Sequence, residues 1–230
     1  MTSVAEAPPE TGPVAPVVTT APAFGDAAAA IAGGLVPYRL SVAKYEEIAR
    51  LGILGPGDKV ELLHGMLARK MPIHTPHAFA TVMLDRLLQS QCGRSWCVRS
   101  QQPVGVSDDS MPEPDVSVAQ GSIRDYLEHH PTAAQTVLVV EVSDSSLRLD
   151  LGVKLALYAA ALIPEYWVVD VANAKLHVHT LPHAGAKPGY RNVTVLGLGD
   201  EVPLTLRCEA FGTLRVGDFL PPLTSPGVSS

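Results

Sequence analysis

Three charged residues stand where their surroundings are otherwise apolar, and their types suit phosphate chemistry. Glu141 lies in residues 136–143, TVLVVEVS, a β-branched run of the kind found in central strands covered on both faces. Strand alternation puts it on the face of Val137 and Val139, where an unpaired carboxylate is costly. It must be protonated, paired with a cation, placed at the open end of the strand, or bound to a metal. Asp115 follows Pro114 at the start of a second apolar strand, Asp-Val-Ser-Val, a position that suits either a turn cap or a ligand. Lys154 is the one cation within LGVKLALYAAALI, a helix apolar almost all round. Asp150, four residues earlier, offers it an ordinary surface ion pair; the other reading is a buried ammonium with a task. Two carboxylates and an ammonium converging at one sheet edge suit metal-assisted phosphodiester hydrolysis. Hard oxygen ligands hold Mg²⁺, or Mn²⁺ in its place, and the ammonium orients water or stabilises charge on the phosphate.

The elements around these residues follow from periodicity and turn signals. Ser41 caps a helix in which Val42, Tyr45, Ile48 and Ala49 share a face, with Gly52 as its stop. Residues 60–71 read as two short strands around His64 and Gly65. Residues 77–91 read as an amphipathic helix burying Phe79, Val82, Met83, Leu87 and the leucines facing them, with Gly93 as its stop. Strands are expected over 96–101, 104–107 and 115–119, then a short helix over 123–129 and the central strand 136–143. A helix over 150–163, stopped by Pro164, leads into a strand over 165–171. Strand, helix, strand implies a parallel crossover. Further strands over 176–180 and after Tyr190 complete an α/β domain whose mixed central sheet is flanked by helices.

The segments MPEPDVSV, VLVVEVSDSS and RLDLGVKLALYAAALIPEYWVVD resemble the Uma2 family of restriction-type endonucleases, within the PD-(D/E)XK nuclease superfamily. VELLHGML at 60–67 and PIHTPH at 72–77 extend the resemblance to residues 38–180. It implies a restriction-endonuclease-like fold in which Asp115 belongs to the PD element, Glu141 is the second metal ligand, Lys154 is the catalytic lysine and Glu61 lies near the same site. Two departures stand out. The superfamily's lysine lies two residues after the second acid, where this chain has Ser143, so Lys154 must reach back from the helix. The family more often has Asp where this chain has His64. The implied activity is Mg²⁺-dependent hydrolysis of DNA by metal-activated water. Cutting both strands takes two sites, so a homodimer is expected, with exposed residues of the strand 176–180 contributing.

Composition bounds the alternatives. A chain of 230 residues with 47% hydrophobic and 17% charged residues is sized for one globular domain. Residues 1–36, rich in Ala, Pro, Thr and Gly, read as a disordered tail. Residues 37–221 form the domain and 222–230 a flexible end. No apolar run is long enough to span a membrane, and MTSVAEAPPETGPV lacks a basic secretory start, so a cytoplasmic protein is expected. Three cysteines without CxxC argue against a disulfide framework or a structural zinc site. His74 with His77, and His177 with His179, have spacings compatible with metal ligands but read as surface histidines, with His77 a helix cap or a supporting site residue. No phosphate loop, GxSxG elbow or Rossmann GxGxxG is present. The net charge of −6 disfavours loose adhesion to nucleic acid, although half of it comes from Glu6, Glu10 and Asp26. Two rivals to the nuclease follow: a catalytically silent nucleic-acid or protein-binding module of the same fold, and an enzyme using the carboxylate pair on another substrate.

Overall fold

A computed structural model describes residues 33–55 and 57–222. The chain divides after Tyr38 into a leading unit and a folded body. Within the leading unit, residues 33–38 are described, as a turn followed by irregular chain. The expected tail and flexible end lie outside the described residues, apart from residues 33–36 and Pro222.

The body starts with helix α1, Val42–Arg50, capped by the Ser41 side chain, which accepts a hydrogen bond from the Lys44 backbone N–H. Strands β1, Val60–Leu63, and β2, Met66–Arg69, form a hairpin. Its two-residue turn needs φ above zero at both positions, met by His64 at 50° and Gly65 at 73°. A Cβ at position 65 would lie 2.6 Å from the Arg39 Cβ, so only glycine fits. Helix α2, Thr75–Cys92, has proline in its first turn and ends at Gly93.

Strands β3 (Trp96–Ser100), β4 (Val116–Gln120), β5 (Thr136–Ser143), β6 (Glu165–Asp170), β7 (Lys175–His183) and β8 (Gly189–Leu196) form one six-stranded sheet in that order. Only β5 and β6 pair in parallel, joined by helix α3. Helix α3 is continuous but built of three pieces: Leu147–Leu149, a π-helical Asp150–Lys154, and Leu155–Ala160. Strand β5 is buried along its whole length, as a near-continuous apolar run in an interior strand requires.

The two sheet faces carry separate cores. Leu138, Val140, Trp167 and Val169 pack under α2 together with the hairpin β9 (Glu201–Leu206) and β10 (Glu209–Arg215) and the short helix α4 (Val216–Phe219). Val139, Tyr166 and Val168 pack on the other face with Leu157 and Tyr158 of α3. Among the described residues no helix is long and apolar enough to cross a membrane.

Several expectations change. Helix α2 buries Ala80, Thr81, Leu84, Leu88 and Cys92, while Phe79 and Val82 are exposed. Apolar residues on nearly every side left its rotation open, and packing selected the i, i+4 series that includes the small Ala80. Residues 104–107 make only isolated bridges, because Pro103 and the SDDSMPEP turns break the ladder. The helix after β4 is one 3₁₀ stretch, Ile123–Tyr126. A register shift between Val118 and Ala119 turns Val137 to the α2 side, away from Val139. The strand 176–180 has no exposed residues to offer a second subunit: Leu176, Val178 and His179 are buried, and His177 and Thr180 are half-buried.

His179, expected at the surface, is 4% exposed and neither ring nitrogen has a partner. Tyr166, Tyr190 and His177 surround its ring. Burial first, and His177 second, lower its pKa from 6.5 to about 4. The unfolded chain therefore takes up protons on this side chain before the folded one does. The stability it contributes is complete above pH 6.5 and is lost as pH falls through about 4. His179→Phe is expected to leave Tm at pH 7.5 unchanged or raised and to lose less Tm than wild type between pH 6.5 and 4, as calorimetry would show. An equal acid loss in both proteins contradicts this.

Candidate active site

The catalytic expectation names Asp115, Glu141 and Lys154, with Glu61 assisting from the periphery, and the fold brings all four to one pocket of about 450 Å³, also lined by His77 and Asp150. Register explains the first pair. Val116 faces Val140 across the antiparallel β4/β5 ladder, so Asp115, one residue earlier, stands opposite Glu141. The Asp115 Oδ2 accepts the Val142 backbone N–H at 2.8 Å, which ties the side chain to the end of β5.

Lys154 does not pair with Asp150 at the surface. It is 5% exposed, with its Nζ 3.0 Å from Glu61 Oε1 and 3.1 Å from Glu141 Oε1. The π-helical segment breaks the α-helical i, i+4 relation between positions 150 and 154. Asp150 instead accepts a hydrogen bond from the Ser146 hydroxyl at 2.5 Å. Glu61 arrives from β1, and its Oε2 accepts the Glu113 backbone N–H at 3.0 Å. The β1–β2 hairpin is fastened to the 109–111 segment by Gly65 N–H to Asp109 and Met111 N–H to Leu62. The hairpin thus closes over a lysine that comes from the opposite end of the sequence motif.

Two further residues complete the arrangement. The Tyr158 hydroxyl donates to Glu141 Oε1 at 2.8 Å, one helical turn beyond Lys154. His77 Nε2 lies 3.2 Å from Asp115 Oδ2, so the histidine opening α2 faces the site rather than solvent. Tyr158 stands in the KLALY stretch that carries the family resemblance, but the sequence reading gives it no role; its i, i+4 spacing from Lys154 was the available signal. His64 does not line the pocket: it occupies the hairpin turn, where its backbone N–H donates to the Ser110 hydroxyl. Ser143, at the superfamily's usual lysine position, is buried beside Ser146.

The electrostatics follow from four buried acids sharing few cations. Burial, followed by repulsion from Asp150, Asp115 and Glu61, raises the Glu141 pKa despite the opposing Lys154 charge. Burial would lower the Lys154 pKa, but Glu141, Glu61 and Asp150 outweigh it and keep the ammonium charged. Burial likewise works against ionised Asp115, yet His77, the Val142 N–H and Lys154 hold its pKa below the usual value.

Among the described residues no three His, Cys, Asp or Glu side chains form a ready metal cluster. Mg²⁺ needs less, since it is commonly held by one or two carboxylates with water and substrate phosphate completing its shell. Glu141 spends only Oε1 on Lys154 and Tyr158, and Asp115 Oδ1 has only a 3.5 Å contact with the Gln101 amide. One oxygen of each carboxylate is left over in a pocket with excess negative charge, and this donor set fits a hard divalent ion.

The family model of Uma2, described as "Putative restriction endonuclease", matches residues 42–216. The chain belongs to the Uma2 family. The match runs from α1 to the start of α4 and contains every residue of the site just described, so the chain is a member of a nuclease family. A solved structure described as "a putative nuclease belonging to DUF820 from Anabaena variabilis ATCC 29413" superposes with a TM-score of 0.57 at 12% identity. The superposition covers 79% of this chain and 97% of the other, and it supports the α/β fold with a mixed central sheet flanked by helices. No curated protein matches the chain.

Proposed function

We propose that this Uma2 protein is a Mg²⁺-dependent endonuclease, with Mn²⁺ able to replace Mg²⁺, that hydrolyses DNA phosphodiester bonds on a PD-(D/E)XK-type site. The observation that carries the reading is the Lys154 ammonium held between Glu61 and Glu141 at the floor of a pocket that Asp115 also lines. Asp115 and Glu141 would hold the divalent ion, which supplies neutralisation of phosphate charge and a lowered pKa for water. Lys154 orients the attacking water and stabilises charge developing on the phosphate. Glu61 keeps that ammonium in place from the hairpin side, and Tyr158 fixes the Glu141 carboxylate so that its second oxygen stays directed to the pocket. His77 restrains Asp115 in the same way. Cutting both strands of a duplex takes two such pockets, which a homodimer provides.

A silent binding module of the same fold is the second reading, favoured by the engagement of Lys154 with two carboxylates at once. Titration with divalent ions separates the two. Wild type is expected to bind Mg²⁺ or Mn²⁺ in calorimetry and to cleave plasmid or oligonucleotide DNA. Asp115→Asn is expected to lose both while keeping its fold. Binding of DNA without any metal-dependent cleavage supports the silent module instead.

A further inference from the structure

The acids of the pocket lie at its floor: Glu61, Asp115, Glu141 and Asp150 are all buried. The cations divide differently. Lys154 is spent on Glu61 and Glu141, and Lys70 is paired with Glu113, Nζ to Oε2 at 3.0 Å. Lys59 and Arg69 line the same pocket from the open side of the hairpin and are exposed, and among the described residues neither is paired with a carboxylate. Two uncompensated cations beside a cluster of acids, on a chain with net charge −6, are not explained by holding that cluster together.

Their placement is constrained by the backbone. Val60 faces Arg69 in the β1/β2 ladder, and the Lys70 N–H donates to the Lys59 carbonyl at 2.8 Å, which extends the ladder by one step. Lys59 holds a left-handed conformation, φ 41°, that glycine would adopt at less cost. That conformation interrupts strand alternation just before β1, so Lys59 is not held to the face opposite Arg69, and the two line the pocket together. A ligand whose phosphate reached the floor would therefore run past Lys59 and Arg69 as it left the pocket.

We propose that Lys59 and Arg69 form a binding site for a backbone phosphate next to the scissile one, so that the substrate is a DNA strand continuing beyond the cleaved bond. This rests on the nuclease reading. An isolated diester has no neighbouring phosphate, whereas a strand gains a charge-assisted contact at each step.

The test compares wild type with Lys59→Gln/Arg69→Gln on two substrates, bis(p-nitrophenyl) phosphate and a DNA oligonucleotide, with Mn²⁺. Binding to the oligonucleotide is followed across salt concentrations in a Glu141→Gln background. The double variant is expected to hydrolyse the small diester within about twofold of wild type. On the oligonucleotide its KM should rise about tenfold, and its log K against log salt should be shallower by about 1.5 for two lost phosphate contacts. Lys59→Arg is expected to keep the wild-type slope. An unchanged KM and slope overturn the inference, as does a parallel loss on both substrates, which would place the two cations at the chemistry itself. Failure of wild type on both substrates strikes the nuclease reading and takes this inference with it.

Discussion

Replacing Lys154 with methionine is expected to lower stability by about 3–5 kcal/mol, because removing one member of a buried charge cluster leaves the others unpaired. Glu61 and Glu141 share this ammonium at 3.0 and 3.1 Å, and both are almost wholly shielded from water. With Asp115 and Asp150 in the same pocket, the variant has four acids and no lysine at the floor. For a domain of this size the loss corresponds to a fall in Tm on the order of 10 °C, which calorimetry reads directly. Metal-dependent DNA cleavage should vanish at temperatures where the variant is still folded, as circular dichroism would confirm. A Tm within a degree or two of wild type would show that the ammonium does not compensate these acids.

Glu141→Gln separates catalysis from stability in the opposite sense. The amide keeps the size of the side chain and still accepts the Tyr158 hydrogen bond, and Lys154 retains Glu61. In wild type the Glu141 pKa lies above its ordinary 4.5, at about 8, so the folded state holds this proton more tightly than the unfolded chain. The stability linked to that proton is complete below pH 4.5 and is lost as pH rises through about 8. Glu141→Gln lacks this decline, and at pH 8 its Tm should equal or exceed that of wild type. Cleavage should fall by more than about 100-fold, since losing even an outer partner of a metal ligand costs about 10–100-fold. A variant that cleaves DNA at the wild-type rate removes Glu141 from the metal-binding role.

The paired outcomes matter because the proposed metal role places two demands on the same side chains. Holding a divalent ion requires acids with spare oxygens, and keeping those acids buried before an ion arrives requires a cation among them. Lys154 meets the second demand from a position that also lines the pocket. Tyr158 and His77 each occupy one oxygen of a carboxylate, which limits how far Glu141 and Asp115 can swing. Tyr158→Phe, which removes the hydroxyl and keeps the buried ring, is expected to weaken Mn²⁺ binding in calorimetry more than it lowers Tm.

Much of the architecture was legible from residue pattern. The β-branched run 136–143 specified an interior strand, Ser41 the start of α1, and His64-Gly65 a two-residue hairpin turn, because each depends on local chemistry. The anomalous charges Asp115, Glu141 and Lys154 could be picked out for the same reason: each conflicts with its own neighbours in sequence. What pattern could not supply was rotation and reach. The expected buried face of α2 holds for its leucines and in part for Met83 and Leu87, but not for Phe79 and Val82, because apolar residues surround that helix and only packing against the sheet chooses among its sides. His179 was placed outside because alternation does not say whether a second layer covers a face, and α3 with Tyr166 and Tyr190 does so.

The sequence by itself determined the interior strands, the His64-Gly65 turn and the identity of three candidate side chains, all of which follow from short-range sterics and hydrophobic period. Only the tertiary structure decided that Lys154 turns away from Asp150 toward Glu61 and Glu141, and that His77 and Tyr158 join them. Those contacts join residues far apart in the chain, across a π-helical segment and a docked hairpin. Their energies come from burial and mutual charge, which no local window of sequence contains.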